Sequence, residues 1–309
     1  MNNLEYAEAS ILHYDPRPKV RKRTCASLRE LGFRRIANID NSKDLEILVK
    51  ARQFELVVFA ADPDDTRATE LVRSARQYDK SSDPYTPMIL VSWNGGSDNI
   101  REALNTGTDQ LLMWPFSTTQ LGARVDALVN DRKPFIETED YMGPDRRNLE
   151  KRGGKQNSVE VPNALRAKVR QQPDLAPSRE ALEAARDSLE RIKIANVARR
   201  ISTIAKVLRQ RCDDQKFMQA RASRELAAVL TSLGGVREAL DITELHHMHP
   251  FCTSVEQVVS QLLLDAPELD GKGLALLEQT AIALRIAMDL DEDTANAALR
   301  LSGEVARAR

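Results

Sequence analysis

Acidic residues follow the most apolar segment of the chain, and they are the first candidates for chemistry. The segment 54–65 holds a short run rich in Val and Phe, which is entered past Glu55 and closed by acids and Pro63. Such a run predicts a strand buried on both faces of a parallel sheet. Because ligands of these sheets bind at the carboxyl ends of strands, we expect function at the end of this strand. Ala60 stands there, and the first carboxylate after it is Asp62.

Three histidines form the second candidate group: His246, His247 and His249, with Asp241 a few residues earlier. A metal site needs ligands that converge on one ion, whereas adjacent residues of a helix point apart. Pro250 keeps His247 and His249 out of the middle of a helix. We therefore expect a helix end and a turn here, and no metal.

Composition excludes several classes of protein. The chain has 309 residues, 42% hydrophobic and 29% charged, with a net charge of -1, which predicts about two ordinary globular domains. Cys25, Cys212 and Cys252 lie far apart, as is usual in a reducing compartment. The first ten residues hold no apolar segment of a signal peptide, and no run approaches a membrane span, so a cytoplasmic location is expected.

Chemical motifs are also missing. The sequence contains no glycine-rich phosphate loop, no paired metal motif and no nucleophile elbow. We expect neither an enzyme nor a bound cofactor.

The elements that must position these residues alternate regularly between 10 and 131. Five apolar runs are each followed by an amphipathic segment, which predicts a flavodoxin-like α/β domain with a doubly wound, five-stranded parallel sheet over residues 1–132. The predicted strands lie near 11–14, 36–39, 56–60, 88–92 and 110–113, and the predicted helices near 18–31, 42–49, 66–77, 98–105 and 117–129.

Four short motifs give this region a resemblance to the receiver domain of bacterial two-component response regulators, over about residues 9–131. They are Ile11–Asp15, the run Glu55–Phe59 ahead of Pro63, Thr86–Ser92, and Gly107–Phe116, which parallels Gly-Ala-Asp-x-Tyr-Leu-x-Lys-Pro-Phe.

The resemblance implies a chemistry that this chain does not preserve. Receivers accept a phosphoryl group on an aspartate, with a metal ion held by carboxylates, and a lysine and a hydroxyl to bind the product. The corresponding positions are Asp15 and Pro16 for the acidic pair, Ala60 or Phe59 for the acceptor, Ser92 for the hydroxyl and Trp114 for the lysine. Three of these five groups are replaced, so we expect a degenerate, or pseudo-receiver, site.

Two interpretations of that site remain open. Asp62 could accept phosphate if the loop after the strand were rearranged, although the second acid and the lysine would still be missing. Alternatively, Phe59 and Trp114 fill the emptied pocket as an apolar plug.

The resemblance also implies a surface for protein partners, formed by the fourth helix, the fifth strand and the fifth helix. The candidate residues are Trp93, Ile100, Leu104, Leu111, Met113, Phe116 and Leu121. The alternative is that both tryptophans are buried for packing.

Residues 133–177 are expected to form an extended, partly disordered and locally basic linker, because they show turn residues and no periodicity. The portion Tyr141–Arg147 resembles a tail that follows receiver domains in some bacterial regulators. Aromatic residues do not alternate with the basic ones, which argues against nucleic-acid binding.

Residues 178–309 are expected to form an all-helical domain, for which no family resemblance is evident. A coiled-coil type stripe runs through Ile194, Val197, Ile201, Ile204 and Leu208. It predicts either a homodimer seam or the spine of a bundle within one chain. Gly234 and Gly235 are expected to separate two helices.

These features favour a phosphorylation-independent signalling adaptor that acts through protein–protein contacts. Its expected partners are a histidine kinase or a response regulator of a two-component pathway. One alternative is a phosphorelay component that uses Asp62, or His246 and His247 with Asp241. Another is a regulator that binds nucleic acid through the basic linker and helices. Its mark would be DNA binding that weakens steeply as the salt concentration rises.

Overall fold

The computed structural model describes residues 5–51, 54–61, 67–77, 83–93, 95–138, 140–146, 158–242, 245–290, 293–294 and 297. The chain divides into two compact units, Met1–Arg186 and Asp187–Arg309. Each unit is considered by itself below.

A five-stranded parallel sheet organises the first unit, and its strand order is β2-β1-β3-β4-β5. This is the order of flavodoxin-like doubly wound folds, so the predicted fold of this region is confirmed. The strands are β1 (Ser10–Tyr14), β2 (Arg35–Ile39), β3 (Leu56–Ala61), β4 (Met88–Ser92) and β5 (Gln110–Met113). The helices between and after them are α1 (Pro18–Glu30), α2 (Ser42–Ala51), α3 (Arg67–Ala75), α4 (Ser97–Leu104) and α5 (Thr118–Asn130).

The sheet is buried on both faces because its strands carry apolar side chains at nearly every position. In β3, Leu56 and Val58 pack in a cluster with Leu28 of α1 and Leu121 of α5. The intervening Val57 and Phe59 pack in a second cluster, which includes residues of α2, α3 and α4. The alternation of side chains along a strand therefore assigns α1 and α5 to one face and the other three helices to the opposite face.

The segment after α5 is folded in its described part, which differs from the expected extended linker. Two short strands, β6 (Phe135–Glu137) and β7 (Met142–Pro144), pair antiparallel, and Val159 pairs with Phe135. A short helix, α6 (Ala164–Val169), follows. Leu165 and Val169 are fully buried in the same cluster as α1 and α5. Spaced four residues apart, these two side chains give α6 one apolar face, which packs on the domain.

A buried ion network fixes the β6–β7 hairpin to the amino end of the sheet. Asp109 accepts hydrogen bonds from Arg76 Nη2 at 2.8 Å and from Arg132 Nε at 2.7 Å. Burial lowers the pKa of Arg76, whose fully enclosed guanidinium also donates to the carbonyls of Pro84, Thr86 and Gly107. The ring of Phe135 lies beside both guanidinium groups.

Glycines permit the close approach of the hairpin. Gly107 has φ +90°, and a Cβ there would lie 2.4 Å from the carbonyl oxygen of Met142. A Cβ on Gly143 would lie 2.8 Å from the Cα of Gly107. The backbones touch because neither residue has a side chain.

The second unit is a helical bundle. It contains most of α7 (Arg179–Gln210), then α8 (Gln215–Ile242), α9 (His249–Asp265) and α10 (Gly271–Ala287), with a 3₁₀ turn at His246–Met248. The predicted break at Gly234 and Gly235 is wrong, because α8 continues through both residues. A helix tolerates glycine at a cost of about 1 kcal/mol per residue, which packing in a bundle offsets.

The apolar stripe of α7 packs inside its own unit. Ile194, Val197, Ile201 and Leu208 are buried in one core with residues of α8, α9 and α10, and Ile204 packs at its edge. The stripe is thus the spine of a bundle within one chain, and it is not exposed as a dimer seam. Among the helices in the described part of the chain, none is both long and apolar enough to cross a membrane.

Candidate functional site

The positions that correspond to a receiver site lie around one edge of the sheet. Asp15 directly follows β1, Ala60 is next to last in β3, and Ser92 ends β4. Ala61 is paired with Ser92 in the strand register, and the backbone N–H of Trp114 donates to the Ser92 carbonyl at 2.8 Å. The parallel arrangement therefore gathers these positions at the carboxyl ends of the strands.

Asp15 is held by an arginine. Its side chain is buried, and Oδ1 accepts hydrogen bonds from the backbone N–H of Arg17 at 2.8 Å and from Arg17 Nε at 3.1 Å. Arg21 Nη1 donates to the backbone carbonyl of Asp15 at 2.8 Å. Burial raises the pKa of Asp15, while the bonds from Arg17 act in the opposite direction. The remaining carboxylate of the receiver pattern is thus engaged by a resident cation.

The acceptor position carries no group that can take a phosphoryl. Ala60 is 2% exposed, and Phe59 is fully buried among residues that pack with α2, α3 and α4. Asp62, the alternative acceptor suggested by the sequence, lies outside the described residues.

An aromatic row occupies the place where the lysine would be. Trp114 stacks on Trp93 with ring centroids 6.0 Å apart, and the ring of Phe116 meets Trp114 edge-on at 5.2 Å. The guanidinium carbon of Arg17 lies 3.1 Å from the Trp93 ring centroid. Arg17 therefore joins the acidic position of β1 to the aromatic residues after β4 and β5.

The predicted apolar plug of Phe59 and Trp114 is not formed. Phe59 packs on the face covered by α2, α3 and α4, whereas Trp114 packs against the cluster on the opposite face. The two side chains thus belong to clusters on opposite faces of the sheet.

The proposed interaction face is only partly a surface. Phe116 is 6% exposed and Leu121 fully buried, so these two belong to the core and not to a contact face. The other five candidates are half-buried: Trp93, Ile100, Leu104, Leu111 and Met113. Both tryptophans are therefore accessible in part, contrary to the alternative in which they are buried.

Sequence reasoning missed Arg17 and the cations that follow it. Lys19, Arg21, Lys22 and Arg23 continue through the first two turns of α1, and Arg21 pairs with Asp40 at 3.0 Å. The signal was the run Arg-Pro-Lys-Val-Arg-Lys-Arg at 17–23, in which five of seven residues are basic. Of this run, Arg17 and Arg23 contact the aromatic residues of the site, since the guanidinium carbon of Arg23 lies 5.4 Å from the Trp114 ring centroid.

The histidines of the second unit occupy the turn that was expected. His249 Nε2 lies 3.1 Å from Asp241 Oδ1, and His247 Nε2 lies 3.3 Å from the carbonyl oxygen of Ala287. The rings of His246 and His249 are parallel, with centroids 6.4 Å apart. Within the described residues, no three His, Cys, Asp or Glu side chains are grouped so that they could hold a metal ion.

Comparison with known proteins gives structural neighbours for the first unit. No family model and no curated protein matches the chain. Similar solved structures include the receiver domain of a histidine kinase from Clostridium thermocellum, 18% identical over 39% of this chain and 96% of that chain, with a TM-score of 0.35. They also include the Vibrio cholerae chemotaxis protein CheY4, at 16% identity over 39% and 98% of the two chains, with a TM-score of 0.35.

A third neighbour is the Thermotoga maritima response regulator DrrB, 22% identical over 42% of this chain and 56% of that one, with a TM-score of 0.35. The likeness concerns the fold of the N-terminal part of the chain. The helical unit lies outside it.

Proposed function

We propose that this protein is a phosphorylation-independent signalling adaptor of a bacterial two-component pathway. It acts in the cytoplasm without catalysis or a cofactor, through protein–protein contacts of a degenerate receiver domain and of a helical output unit.

One observation carries the proposal, namely the engagement of Asp15 by Arg17. Phosphoryl transfer to a receiver depends on positioned positive charge beside a carboxylate nucleophile. Here the guanidinium group of Arg17 is bonded to the only acid of the β1 pair, and it occupies the oxygen that a divalent cation would need. Ala60 supplies no nucleophile, and Trp114 supplies no ammonium group.

The partners proposed for the receiver unit are a histidine kinase or a response regulator. The half-buried apolar side chains of α4 and β5 support this proposal, because exposed apolar groups lower the free energy of association when a partner covers them. Ile100 and Leu104 are one turn apart on α4 and so share one side of that helix.

The test is incubation of the purified chain with acetyl phosphate and Mg²⁺, or with a cognate histidine kinase, followed by intact-mass measurement. We expect no increase in mass by a phosphoryl group. A stoichiometric increase that is lost in Asp62→Ala would overturn the proposal and move the acceptor to the loop after β3. An increase that is lost in His246→Gln or His247→Gln would instead establish phosphotransfer by the helical unit.

A further inference from the structure

Two turns lie at the same end of the helical bundle. One joins the end of α7 to the start of α8, and the other joins the end of α9 to the start of α10. Lys206 Nζ and Arg209 Nη2, near the end of α7, lie 3.5 and 3.2 Å from carboxylate oxygens of Glu278 in α10. Short connections between packed helices make neighbours antiparallel, so both turns are at one end. We call this surface the bundle end.

One side of the bundle end is apolar and basic. The guanidinium carbons of Arg211 and Arg221 lie 4.7 and 5.9 Å from the ring centroid of Phe217. Val207, one turn before the end of α7, is 41% exposed. These four residues and Gln210 line a shallow groove, which we call the basic corner.

The acids in the turn between α7 and α8 do not cancel the positive charge of the basic corner. Asp214 is directed back into the chain, since its Oδ1 accepts from the backbone N–H of Phe217 at 3.1 Å. Lys216 adds a further exposed cation, opposed by Asp213. Glu225 Oε1 lies 3.8 Å from Arg221 Nη1 and is shared with Arg224 Nη2 at 3.5 Å, so this acid is matched by two cations.

The other side of the bundle end is apolar and acidic. Leu264 and Leu276 are 80% and 54% exposed. Asp265 and Glu268 are also exposed, and they line a second groove with Gln261 and Leu276. We call these five residues the acidic corner.

Exposed apolar side chains are concentrated at this end. Six large hydrophobic residues are exposed in the described part of the chain, and three of them, Val207, Leu264 and Leu276, belong to the two corners. An apolar patch rimmed by charges is typical of a surface that a protein partner covers.

We propose that a second copy of this chain covers the bundle end. In a two-fold dimer the same surface of both copies is in contact, so the surface must be complementary to itself. The bundle end meets this condition, because it carries positive charge on one side and negative charge on the other. A two-fold axis between the two corners places each basic corner on the partner copy's acidic corner and buries the three exposed aliphatic side chains.

The partner is another copy of this chain because the bundle end carries both positive and negative charge beside apolar groups, and a second copy presents the same charges in matching positions. A strongly acidic or strongly basic partner would match one corner and be repelled by the other. The spine of α7 takes no part, since its stripe is already covered within the unit.

The experiment is sedimentation velocity on the full chain over a range of concentrations, with two charge-reversal variants. Variant one carries Arg211→Glu and Arg221→Glu, and variant two carries Asp265→Lys and Glu268→Lys. Asp270 is left unchanged because its carboxylate caps α10, accepting from Gly273 N–H at 2.6 Å. We expect the wild-type chain to dimerise and each variant alone to associate more weakly by roughly tenfold or more, because like charges then face each other.

Mixing the two variants is the decisive measurement. Each corner of one variant then faces a corner of opposite charge on the other, so the mixture is expected to form a heterodimer that neither variant forms alone. A wild-type chain that stays monomeric overturns the proposal, as does a mixture that associates no better than its components.

Replacing an exposed apolar residue with glutamine tests whether the dimer contact lies at the bundle end or on another surface. Leu264→Gln is expected to weaken dimerisation, whereas Ile286→Gln, at a 48% exposed position in the last turn of α10, leaves it unchanged. Equal loss in both variants would place the contact elsewhere. Circular dichroism of each variant verifies that the helices are retained.

Discussion

Arg17 donates two hydrogen bonds to the buried carboxylate of Asp15, one from its backbone N–H and one from Nε, while its guanidinium lies on the ring of Trp93. At the carboxyl ends of the strands, where receivers perform phosphoryl transfer, side chains of this chain are therefore held to one another by non-covalent contacts. Since both tryptophans of the chain, Trp93 and Trp114, lie in the first unit, their fluorescence reports the unfolding of that unit alone.

Replacing Arg17 is expected to destabilise the first unit. Arg17→Ala leaves the buried Asp15 carboxylate without its cation, at a cost of about 1–3 kcal/mol in the free energy of unfolding. Urea denaturation followed by tryptophan fluorescence measures the loss. The control is Lys19→Ala, an exposed cation of the same helix, which is expected to change stability by less than about 0.5 kcal/mol. Equal effects of the two substitutions would show that Arg17 acts only as a surface charge.

His13 gives the first unit a defined pH dependence. Burial lowers its pKa to about 4 from the ordinary 6.5, and its Nδ1 lies 2.9 Å from Asn38 Oδ1. The unfolded chain binds the proton more readily between these values, so this residue's contribution to stability is complete above 6.5 and is lost as pH falls towards 4.

From about pH 7.5 to about pH 5 the loss attributable to His13 is about 2 kcal/mol. His13→Gln keeps a polar group towards Asn38 but does not titrate. Its stability, measured by urea denaturation at the two pH values, should therefore fall by about 2 kcal/mol less than that of the wild-type chain. The same pH dependence in both proteins would contradict the assignment.

Replacing Asp109 is expected to lower the free energy of unfolding of the first unit strongly. Asp109→Asn removes the charge that neutralises Arg76 and Arg132, two guanidinium groups with little solvent contact. Breaking a buried ion pair at one partner costs about 3–5 kcal/mol. Thermal and urea denaturation give the value. The matched control, Asp140→Asn, alters an exposed acid of the same hairpin region and should be nearly neutral.

Gly107 is expected to tolerate no side chain. In Gly107→Ala the residue keeps a positive φ of +90° and places its Cβ 2.4 Å from the Met142 carbonyl oxygen, so the hairpin must move. We expect a loss of at least about 2 kcal/mol in the free energy of unfolding. Gly95→Ala is the control, because a Cβ there meets only Met113 Cε at 3.9 Å. Wild-type stability of Gly107→Ala would mean that the hairpin is not closely packed.

The sequence by itself determined the fold of the first unit and the identity of its site positions. Apolar runs such as Leu56–Ala61 are local signals, and their alternation with helices leaves few topologies. The replacement of an acceptor by Ala60 or Phe59 and of a lysine by Trp114 can likewise be read directly from the motifs. Helical periodicity also identified the stripe of α7.

Only the tertiary structure decided which groups these side chains meet. Asp15 could have held a metal, and the structure gives it Arg17, because the pairing depends on how α1 starts beside the sheet. The hairpin after α5 lacks periodicity and was expected to be extended, yet long-range ion pairs from Asp109 and packing of Phe135 hold it. Likewise a 3-4 apolar spacing fits a dimer and a bundle equally, and only the packing of α8, α9 and α10 around Ile201 distinguishes them.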